Sequence, residues 1–522
     1  MKINYITGSG YWIHKDNIPI SKRLNLRSKL STLDFKTKNE SIKAYHEWDE
    51  YILIPKISRQ MLKWTLGMDL MFTPMYQEHE NIKYNKYSLG REPLEHQLVT
   101  LEKAYSVFDN ALDKRVCICL QPGYGKTYIT ANIINHLQCK FMFIVYSKDL
   151  TGQGASSIME DLSVKEGILT ILHSEDLNNL DPKKCEKVNG VFLTHSMFRE
   201  CLKKYGMAKM IDIMVNTIGI TMKIIDEFDR DVKTMYEIDS FMNFRYNLYL
   251  TGTNYKSLRE DDYIFQMIFK ESTILGKDVV VKPNKDLIII NTKFTPSKKE
   301  YLTIMRSDDT FKVYYNNFFA KKDVTLDFIM NRFYHKEDSL MKKMIDEDGK
   351  IVFYCGTIIN CERVANALHK NHNIPLEDIG IYNSKITSKV KRSENKERKF
   401  ICSTTKSLGR GYDDRKIRML VYLEFTFSKP DIIQGISRVG RIGGEYGYVI
   451  YPLDYSFPAV TRSFQAKADA GIWKDNFINV YKISVPEEMF KDYTYGYRKD
   501  SEEAKAIEVK KQGYQKKLHE LL

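Results

Sequence analysis

The sequence lacks any long hydrophobic run. None of its apolar stretches approaches the ~20 consecutive residues that a membrane-spanning helix requires, so such a helix is excluded. The N-terminus, MKINYITGSGYWIHKDN, lacks the charged-then-apolar pattern of a secretory signal. There is also no low-complexity tract and no short-period repeat. These absences predict a globular protein of the cytoplasm with no membrane partner.

Cysteine is scarce and irregularly spaced. The chain has 8 cysteines in 522 residues, and none has the spacing of a disulfide framework or a metal site. Cys117 and Cys119 alternate within one predicted strand, and Cys355 and Cys361 flank a predicted strand-to-helix turn. We therefore expect reduced thiols in a cytosolic compartment and no zinc site.

The composition is that of an ordinary globular protein with a surplus of positive charge. Hydrophobic residues make up 43% and charged residues 28%, and the length allows two to four domains. The net charge of +13 points to a polyanionic partner. Residues 382–399 carry seven cations against two glutamates. A solvated helix face and a nucleic-acid contact explain that segment equally well.

Four segments are predicted along the chain: a small β-rich domain at 1–85, an α/β domain at 86–285, a second α/β domain at 286–465 with a helical insert at 297–346, and a C-terminal extension at 466–522. In both α/β segments apolar runs alternate with helical patterns, which is typical of a parallel sheet covered by helices on both faces. In the first segment, strands are predicted at 33–35 and 51–56 and a helix at 58–66. The α/β strands are predicted near 116–120, 141–146, 191–194, 222–226, 248–251, 287–290, 351–354, 400–403 and 421–425.

The run CICLQPGYGKT at 117–127 predicts a phosphate-binding loop, because a strand, a glycine loop and a helix follow one another there. Gly123 and Gly125 allow backbone amides to point at a polyphosphate, and the new helix N-terminus adds partial positive charge. Lys126 supplies a charge for the β- and γ-phosphates, and the Thr127 hydroxyl is a Mg²⁺ ligand. A tight turn that merely contains Gly-Lys is the alternative. The predicted nucleotide-binding residues of this loop are Pro122, Gly123, Tyr124, Gly125, Lys126 and Thr127.

Two further patterns complete a hydrolytic site. Asp226 and Glu227 follow an apolar strand, where Asp226 can reach the Mg²⁺ shell and Glu227 can polarise an attacking water. A surface acid cluster is the alternative. In the second α/β segment, Arg438 and Arg441 lie three residues apart in a predicted helical stretch that begins at Gln434. Their planar, permanently charged guanidinium groups suit a γ-phosphate, although such a pair is often only a basic helix face.

These elements, in this order, resemble the motifs of superfamily 2 helicases and translocases over residues 91–455. The resemblance implies an active ATPase with Mg²⁺ and an α/β fold of two tandem RecA-like parallel-sheet domains behind the small β-rich (α+β) domain. The matching segments are REPLEHQ (91–97), LQPGYGKT (120–127), IVYSKDLTGQ (144–153), LTHS (193–196), DEFD (226–229), TGT (251–253), VFYCGT (352–357), TTKSLGRGYD (404–413) and QGISRVGR (434–441).

The resemblance also implies roles for individual residues. Arg91 and Gln97 would read the adenine, Gly411 and Asp413 would bind nucleotide, and Gln434 would join the two arginines in catalysis. Coupling of hydrolysis to movement is implied for Asp229, Thr251 and Thr253. Phosphates of the nucleic-acid strand would be contacted by Ser147, Lys148, Thr194, Gly356, Thr357 and Thr405. The chain departs from the family pattern at Asp229, where many relatives have His, at Gly252, where Ala is usual, and at Ser437, where Gly is common.

The small N-terminal segment and the compact chain resemble the phage UvsW-type branch-migration helicases and the XPB-like repair helicases. That resemblance implies a monomeric DNA helicase that unwinds or branch-migrates forked and Holliday-type DNA in replication, recombination or repair. It further implies an N-terminal domain that engages DNA and, for a phage enzyme, the host bacterial cytoplasm. An RNA helicase of transcript release or translation, and an ATP-switched clamp that does not unwind, remain alternatives. Aromatic residues of the insert are predicted as core or as a strand-separating wedge: Phe311, Tyr314, Tyr315, Phe318 and Phe319.

Overall fold

The computed structural model forms two compact units, Met1–Val281 and Lys282–Leu522, and each is described by itself. No helix among the described residues is long and apolar enough to cross a membrane. The structure describes residues 2–7, 10–33, 41–43, 45–47, 49–55, 59–75, 87–111, 114–121, 123–146, 148–177, 180–228, 235, 238–239, 244–252, 265, 269, 274–276, 279, 283–294, 296, 298–304, 311, 314–316, 323–408, 414–440 and 444–493.

The first unit opens with a small mixed sheet, in the strand order β5-β6-β2-β1-β7. Its strands are β1 (Tyr5–Ile6), β2 (Gly10–His14), β5 (His46–Glu47), β6 (Tyr51–Pro55) and β7 (Thr73–Pro74), and β3 (Ser31–Leu33) pairs separately with β4 (Ser41–Lys43). Two helices accompany it, α1 (Ile20–Lys29) and α2 (Arg59–Leu66), and a 3₁₀ turn spans Lys15–Asn17.

The core of this small domain is formed by side chains from one face of the sheet and one face of α2. Ile52 and Ile54 of β6 are buried, as are Leu62 and Leu66 of α2, which lie four residues apart on one helix face. The β-rich domain, the strand at 51–55 and the helix ending at Leu66 agree with the sequence prediction. Of the predicted strand at 33–35, only Leu33 is described as strand, and Phe35 lies outside the described residues.

The remainder of the first unit is a parallel sheet. Among the described residues it has seven strands, in the order β10-β11-β9-β12-β13-β8-β14. They are β8 (Arg115–Cys119), β9 (Phe141–Val145), β10 (Ile168–Ile171), β11 (Gly190–Thr194), β12 (Met222–Ile225), β13 (Tyr246–Thr251) and β14 (Ile274–Leu275). The helices are α3 (Glu95–Asn110), α4 (Lys126–Leu137), α5 (Lys148–Asp161), α6 (Pro182–Cys185) and α7 (His195–Ile211), with a 3₁₀ turn at Ser174–Leu177 and a π-helical turn at Asp212–Thr217.

The central strands are buried on both faces, which is why they appear in the sequence as continuous apolar runs. Five predicted strands therefore coincide with β8, β9, β11, β12 and β13. Sequence analysis missed β10, which is only half-buried, and β14, which has two residues.

The second unit contains another parallel sheet, also of seven strands among the described residues, in the order β17-β18-β16-β19-β20-β15-β21. They are β15 (Lys285–Thr292), β16 (Lys350–Tyr354), β17 (Ile379–Tyr382), β18 (Phe400–Ser403), β19 (Ile417–Tyr422), β20 (Gly447–Asp454) and β21 (Val480–Ser484). The helices are α8 (Lys298–Ile304), α9 (Val324–Phe333), α10 (Leu340–Asp346), α11 (Ile358–His372), α12 (Lys389–Lys396), α13 (Thr405–Leu408), α14 (Lys429–Ile436), α15 (Pro458–Asp469) and α16 (Ile472–Asn476), with 3₁₀ turns at Leu376–Asp378 and Glu487–Tyr493.

The two sheets confirm the predicted tandem RecA-like domains behind a small β-rich domain. The second sheet continues past residue 465, because β21 pairs in parallel with β15. Part of the predicted C-terminal extension at 466–522 is thus an edge strand of this sheet. The strands β17, β20 and β21 were not predicted, and β19 ends three residues before the predicted strand at 421–425 does.

The helical insert contributes mainly to the core of the second unit. Phe311 and Tyr315 are buried, and the Tyr315 ring centroid lies 5.3 Å from that of Phe457. Tyr314 is 37% exposed. The core alternative therefore holds for Phe311 and Tyr315, whereas Phe318 and Phe319 lie outside the described residues.

All eight cysteines are free and buried. Burial raises the pKa of the Cys201 thiol to about 11, which keeps it protonated and unreactive at neutral pH. No group of metal-binding side chains occurs among the described residues.

Asp454 gives the second unit a pH-dependent stability. Burial raises the pKa of this carboxyl, which ends β20, to about 7. The folded state favours the protonated form of this carboxyl. Its contribution to the free energy of unfolding is therefore complete below the unfolded-state pKa and is lost as pH rises through about 7. Asp454→Asn, which cannot ionise, should therefore gain about 1 kcal/mol of unfolding free energy relative to wild type between pH 6 and pH 8. Urea unfolding of both proteins at the two pH values measures this. If the difference in unfolding free energy between Asp454→Asn and wild type were the same at pH 6 and pH 8, the raised pKa of Asp454 would be contradicted.

Candidate nucleotide and nucleic-acid site

The phosphate loop lies between β8 and α4, as the sequence predicts. Gly123 and Gly125 have φ values of +89° and +79°, a left-handed conformation that side chains disfavour. The Tyr124 amide donates to Gln121 O at 3.2 Å, and Gly125 is the N-cap of α4. Pro122 lies outside the described residues. The loop therefore leads directly into the positive end of a 12-residue helix.

Lys126 and Thr127 form the first turn of α4. Lys126 Nζ donates to Leu120 O at 2.8 Å, so the ammonium folds back over the loop that it follows. Thr127 is half-buried beside it. The backbone amides, one ammonium and one hydroxyl are gathered within a few residues, a donor set that fits a polyphosphate with Mg²⁺.

Gln97 is built into this loop. Its side chain is 3% exposed; Oε1 accepts from Leu94 N at 3.0 Å, and Nε2 donates to Tyr124 O at 3.4 Å. A Cβ placed on Gly125 would lie 2.3 Å from Gln97 Nε2. The glutamine therefore packs where only glycine leaves room. Gln97 therefore lies beside the phosphate loop, and its side-chain amide links the start of α3 to that loop.

Arg91 lies against the same helix. Its guanidinium stacks 4.1 Å from the Tyr128 ring centroid, and Nη2 lies 3.4 Å from Asp161 Oδ1. The Tyr128 hydroxyl donates to Arg91 O. Burial raises the pKa of the Asp161 carboxyl and the Arg91 charge opposes that rise. Arg91 thus joins the segment that precedes α3 to both α4 and α5.

The acidic turn follows β12 and is held by both neighbouring strands. The Asp226 amide donates to Ile144 O at 2.9 Å, and the Phe228 amide donates to Leu250 O at 3.0 Å. Between them Glu227 has φ +53°, a strained conformation that structures retain when the surroundings enforce it. The Glu227 amide donates to Asp226 Oδ1 at 2.9 Å. Asp229 lies outside the described residues.

The loop and the acidic turn meet at one edge of the sheet. β13 separates β8 from β12, so the two strand ends lie two strand spacings, about 10 Å, apart. Thr251, which ends β13 and is fully buried, accepts from Leu120 N at 3.1 Å. The carboxyl edge of an α/β sheet is where such folds bind ligands. The segments that contain Lys126, Asp226 and Glu227 therefore lie at the same edge of the sheet, while Thr253 lies outside the described residues.

Residues predicted to touch a nucleic-acid strand lie at the same edge of the first sheet. Thr194 ends β11, and its buried hydroxyl accepts from Met197 N at 3.1 Å and lies 3.0 Å from Ser196 Oγ. That hydroxyl therefore caps α7, a role that the sequence prediction did not include. Lys148 begins α5, and Ser147 lies outside the described residues.

In the second unit, the predicted strand contacts surround a carboxylate. Thr357 caps α11 by accepting from Asn360 N at 3.2 Å. The Thr405 hydroxyl contacts Glu424 Oε1, and a Cβ on Gly356 would lie 3.0 Å from Glu424 Oε2. Sequence analysis missed Glu424, although it is an acid just after an apolar strand, the same signal that identified Asp226. A strand phosphate bound here would be repelled by the Glu424 carboxylate, which is nine-tenths buried, unless that side chain moved.

The arginine segment differs from its prediction in both the start and the end of the helix. The helix begins at Lys429 and ends at Ile436, so it contains Gln434 but not Arg438. Arg438, which is half-buried, lies in the turn after the helix, where its amide donates to Gly435 O at 3.1 Å. Ser437 is the C-cap of the helix, so the turn begins there. Gly411, Asp413 and Arg441 lie outside the described residues.

The basic segment at 382–399 is partly structural. Arg392 and Lys396 of α12 lie 5.4 and 5.2 Å from the Tyr382 ring centroid. Lys399 Nζ lies 3.3 Å from Asp378 Oδ1. Lys385 and Lys391 are exposed.

Two protein-family models match the chain. The model described as Type III restriction enzyme, res subunit, matches residues 91–256, which contain the phosphate loop and the acidic turn. The model described as Helicase conserved C-terminal domain matches residues 335–443, which contain Glu424 and Arg438. No protein of curated function matches the sequence.

Solved structures share the fold at low identity. Mss116p with its NTE and C-tail deleted, bound to ssRNA and AMP-PNP, has a TM-score of 0.51 at 16% identity over 76% of each chain. The DEAD-box helicase Mss116 bound to ssRNA and UDP-BeF has 0.50 at 16% identity over the same shares. The ATP-dependent Type ISP restriction-modification enzyme LlaBIII bound to DNA has 0.46 at 14% identity, over 78% of this chain and 32% of that chain.

The matches to a restriction-enzyme res subunit and to a helicase C-terminal domain support an ATP-dependent helicase. The matched segments contain the loop, the carboxylates and Arg438, the residues that the sequence singled out for triphosphate chemistry. Neither family description states which kind of nucleic acid is bound.

Proposed function

We propose that this chain is an ATP-dependent DNA helicase that unwinds or branch-migrates forked and four-way DNA in replication, recombination or repair. The observation that carries the proposal is that the loop with Lys126 and the turn with Asp226 and Glu227 follow two strands at the same edge of one sheet, inside a segment that matches a restriction-enzyme res subunit. The net charge of +13 fits a polyanionic track.

ATP hydrolysis follows from the roles of these side chains. Lys126 and the amides of Gly123 and Gly125 would hold the phosphates. Thr127 and Asp226 would hold Mg²⁺, which would supply positive charge to neutralise the charge that develops on the phosphates. Glu227 accepts a proton from the attacking water. The further residues proposed for this nucleotide are Arg91, Gln97, Tyr124, Gly411, Asp413, Gln434, Arg438 and Arg441.

The track is proposed to be held through its phosphates, so the enzyme would recognise DNA structure and not sequence. Because the Thr194 and Thr357 hydroxyls cap helices and the Thr405 hydroxyl contacts Glu424, we propose that backbone amides beside them make the phosphate contacts. Ser147, Lys148 and Gly356 complete this proposed set, and Asp229, Thr251 and Thr253 are proposed to couple hydrolysis to movement.

An RNA helicase is the second candidate. It is favoured by the Mss116 structures, which contain ssRNA and share the fold at TM-scores of 0.51 and 0.50. At 16% identity that similarity concerns the fold, whereas the res-subunit match concerns the nucleotide-binding segment itself.

A panel of nucleic acids separates these candidates. ATPase and strand-displacement rates are measured with single-stranded DNA, forked DNA, four-way junctions and RNA of matched length and sequence. We expect DNA to stimulate hydrolysis more than RNA, and ATP to drive separation of forked or four-way DNA. Greater stimulation and unwinding with RNA would establish the second candidate. Stimulated hydrolysis with no displacement of any branched substrate would indicate a clamp.

A further inference from the structure

An exposed tryptophan lies on the small N-terminal domain. Trp64 in α2 is 72% exposed, whereas Leu62 and Leu66 of the same helix point into the core. A single exposed aromatic residue is common on protein surfaces, so its surroundings decide what it can bind. The fold of α2 does not need this indole, because the buried leucines already anchor the helix.

The indole lies in a positively charged surface. Lys29 Nζ of α1 is 3.8 Å from the Trp64 ring centroid, which is close contact for a cation and an aromatic face. The two helices, ISKRLNLRSK and RQMLKWTL, together contain six lysines and arginines and no acid. Arg27 pairs with Glu47, and Lys63 pairs with Asp69 at 3.2 Å.

The packing of α1 on α2 fixes the geometry of this surface. Asn25 Nδ2 donates to Thr65 O at 3.4 Å, and Lys22 Nζ would lie 2.9 Å from a Cβ on Gly67. Lys22, Asn25 and Lys29 are spaced three and four residues apart and therefore share one face of α1. The α1–α2 surface, defined as Lys22, Lys29 and Trp64, thus presents two ammonium groups and an indole on adjoining helices.

We propose that the α1–α2 surface binds single-stranded nucleic acid, with an unpaired base stacked on Trp64 and phosphates paired with Lys22 and Lys29. Lys29 covers one face of the indole, so the exposure of Trp64 leaves the other face open to a base. Stacking accepts any base, and lysines contact phosphate without reading sequence. A nucleic acid fits better than an apolar protein partner, because α1 and α2 together contain six cations and no acid.

This inference rests on the proposed function in one respect, that the ligand is a nucleic acid. It adds a site outside both RecA-like sheets, one that binds bases and not only phosphates. A single strand bound to the α1–α2 surface would stay attached to the protein while the residues of the RecA-like domains release one strand phosphate and bind the next.

The test measures binding of a fluorescein-labelled oligo-dT to the full chain without nucleotide, together with tryptophan emission. We expect Trp64→Ala to weaken binding about 5- to 100-fold, the usual cost of one lost base stack. Trp64→Phe should retain most of the affinity but lose the oligo-dT-dependent quenching of tryptophan emission. Lys29→Gln should reduce the slope of log affinity against log salt by about 0.7.

Met71→Ala is the matched control, because Met71 is 76% exposed on the same domain and has no place in the α1–α2 surface. Thermal unfolding shows that each variant is folded. Binding by Trp64→Ala within twofold of wild type, or an equal loss in Met71→Ala, would overturn the proposed site while leaving the helicase proposal intact. Failure of the wild-type protein to bind any nucleic acid would overturn the proposed function, and this inference with it.

Discussion

Lys126→Ala is expected to lower the steady-state rate of ATP hydrolysis by at least about 100-fold, the typical cost of removing one preorganised charge-stabilising group. The lysine begins α4, and its ammonium already folds over the loop, contacting Leu120 O at 2.8 Å. Alanine preserves the helix, since it is the best helix former, but removes the only side-chain cation of the segment Cys117–Thr127. A phosphate-release assay at saturating nucleic acid measures the effect.

Lys103→Ala is the matched control for that loss. Lys103 is exposed on α3 of the same unit, so its removal changes the net charge equally without touching the loop. Its hydrolysis rate should equal that of the wild type. Retained hydrolysis in Lys126→Ala would refute the assignment of the phosphate loop, and with it the whole nucleotide site.

Glu227→Gln is expected to separate binding from hydrolysis. A general base contributes about 10²–10⁴-fold to a reaction rate, so the hydrolysis rate should fall by that factor. The amide is isosteric with the carboxylate, and the turn is held by main-chain bonds to Ile144 O and Leu250 O, so ATP should bind as before. Equilibrium binding of a fluorescent ATP analogue and the phosphate-release assay measure the two quantities.

Glu160→Gln, at an exposed position of α5, controls for the loss of one negative charge. Equal losses of ATP affinity and hydrolysis in Glu227→Gln would show that Glu227 supports the fold of the turn and not the chemistry. Hydrolysis at the wild-type rate would exclude it as the base.

The parts of the fold that could be predicted are those whose signal is local. Strands buried on both faces are continuous apolar runs, so β8, β9 and β12 were found within a residue or two. The edge strand β21 is largely exposed and carries no such run. It belongs to the sheet because it pairs with β15, nearly 200 residues earlier, and no local pattern records that pairing.

The candidate site divides in the same way. Lys126, Asp226 and Glu227 were predicted from loop and strand-end chemistry, which is encoded within a few residues. The capping role of Thr194 and the contact of Thr405 with Glu424 depend on how the chain packs after it folds. A hydroxyl that resembles a phosphate contact in sequence is therefore engaged with protein groups in the structure.

The proposed motor activity is measured by the ATP-dependent release of a labelled strand from a forked DNA duplex by the full chain. We expect strand release with ATP and Mg²⁺ by wild type and the Lys103→Ala control, and none by Lys126→Ala or Glu227→Gln. Strand release that is equal with and without ATP, or that persists in Lys126→Ala, would contradict the proposed motor activity.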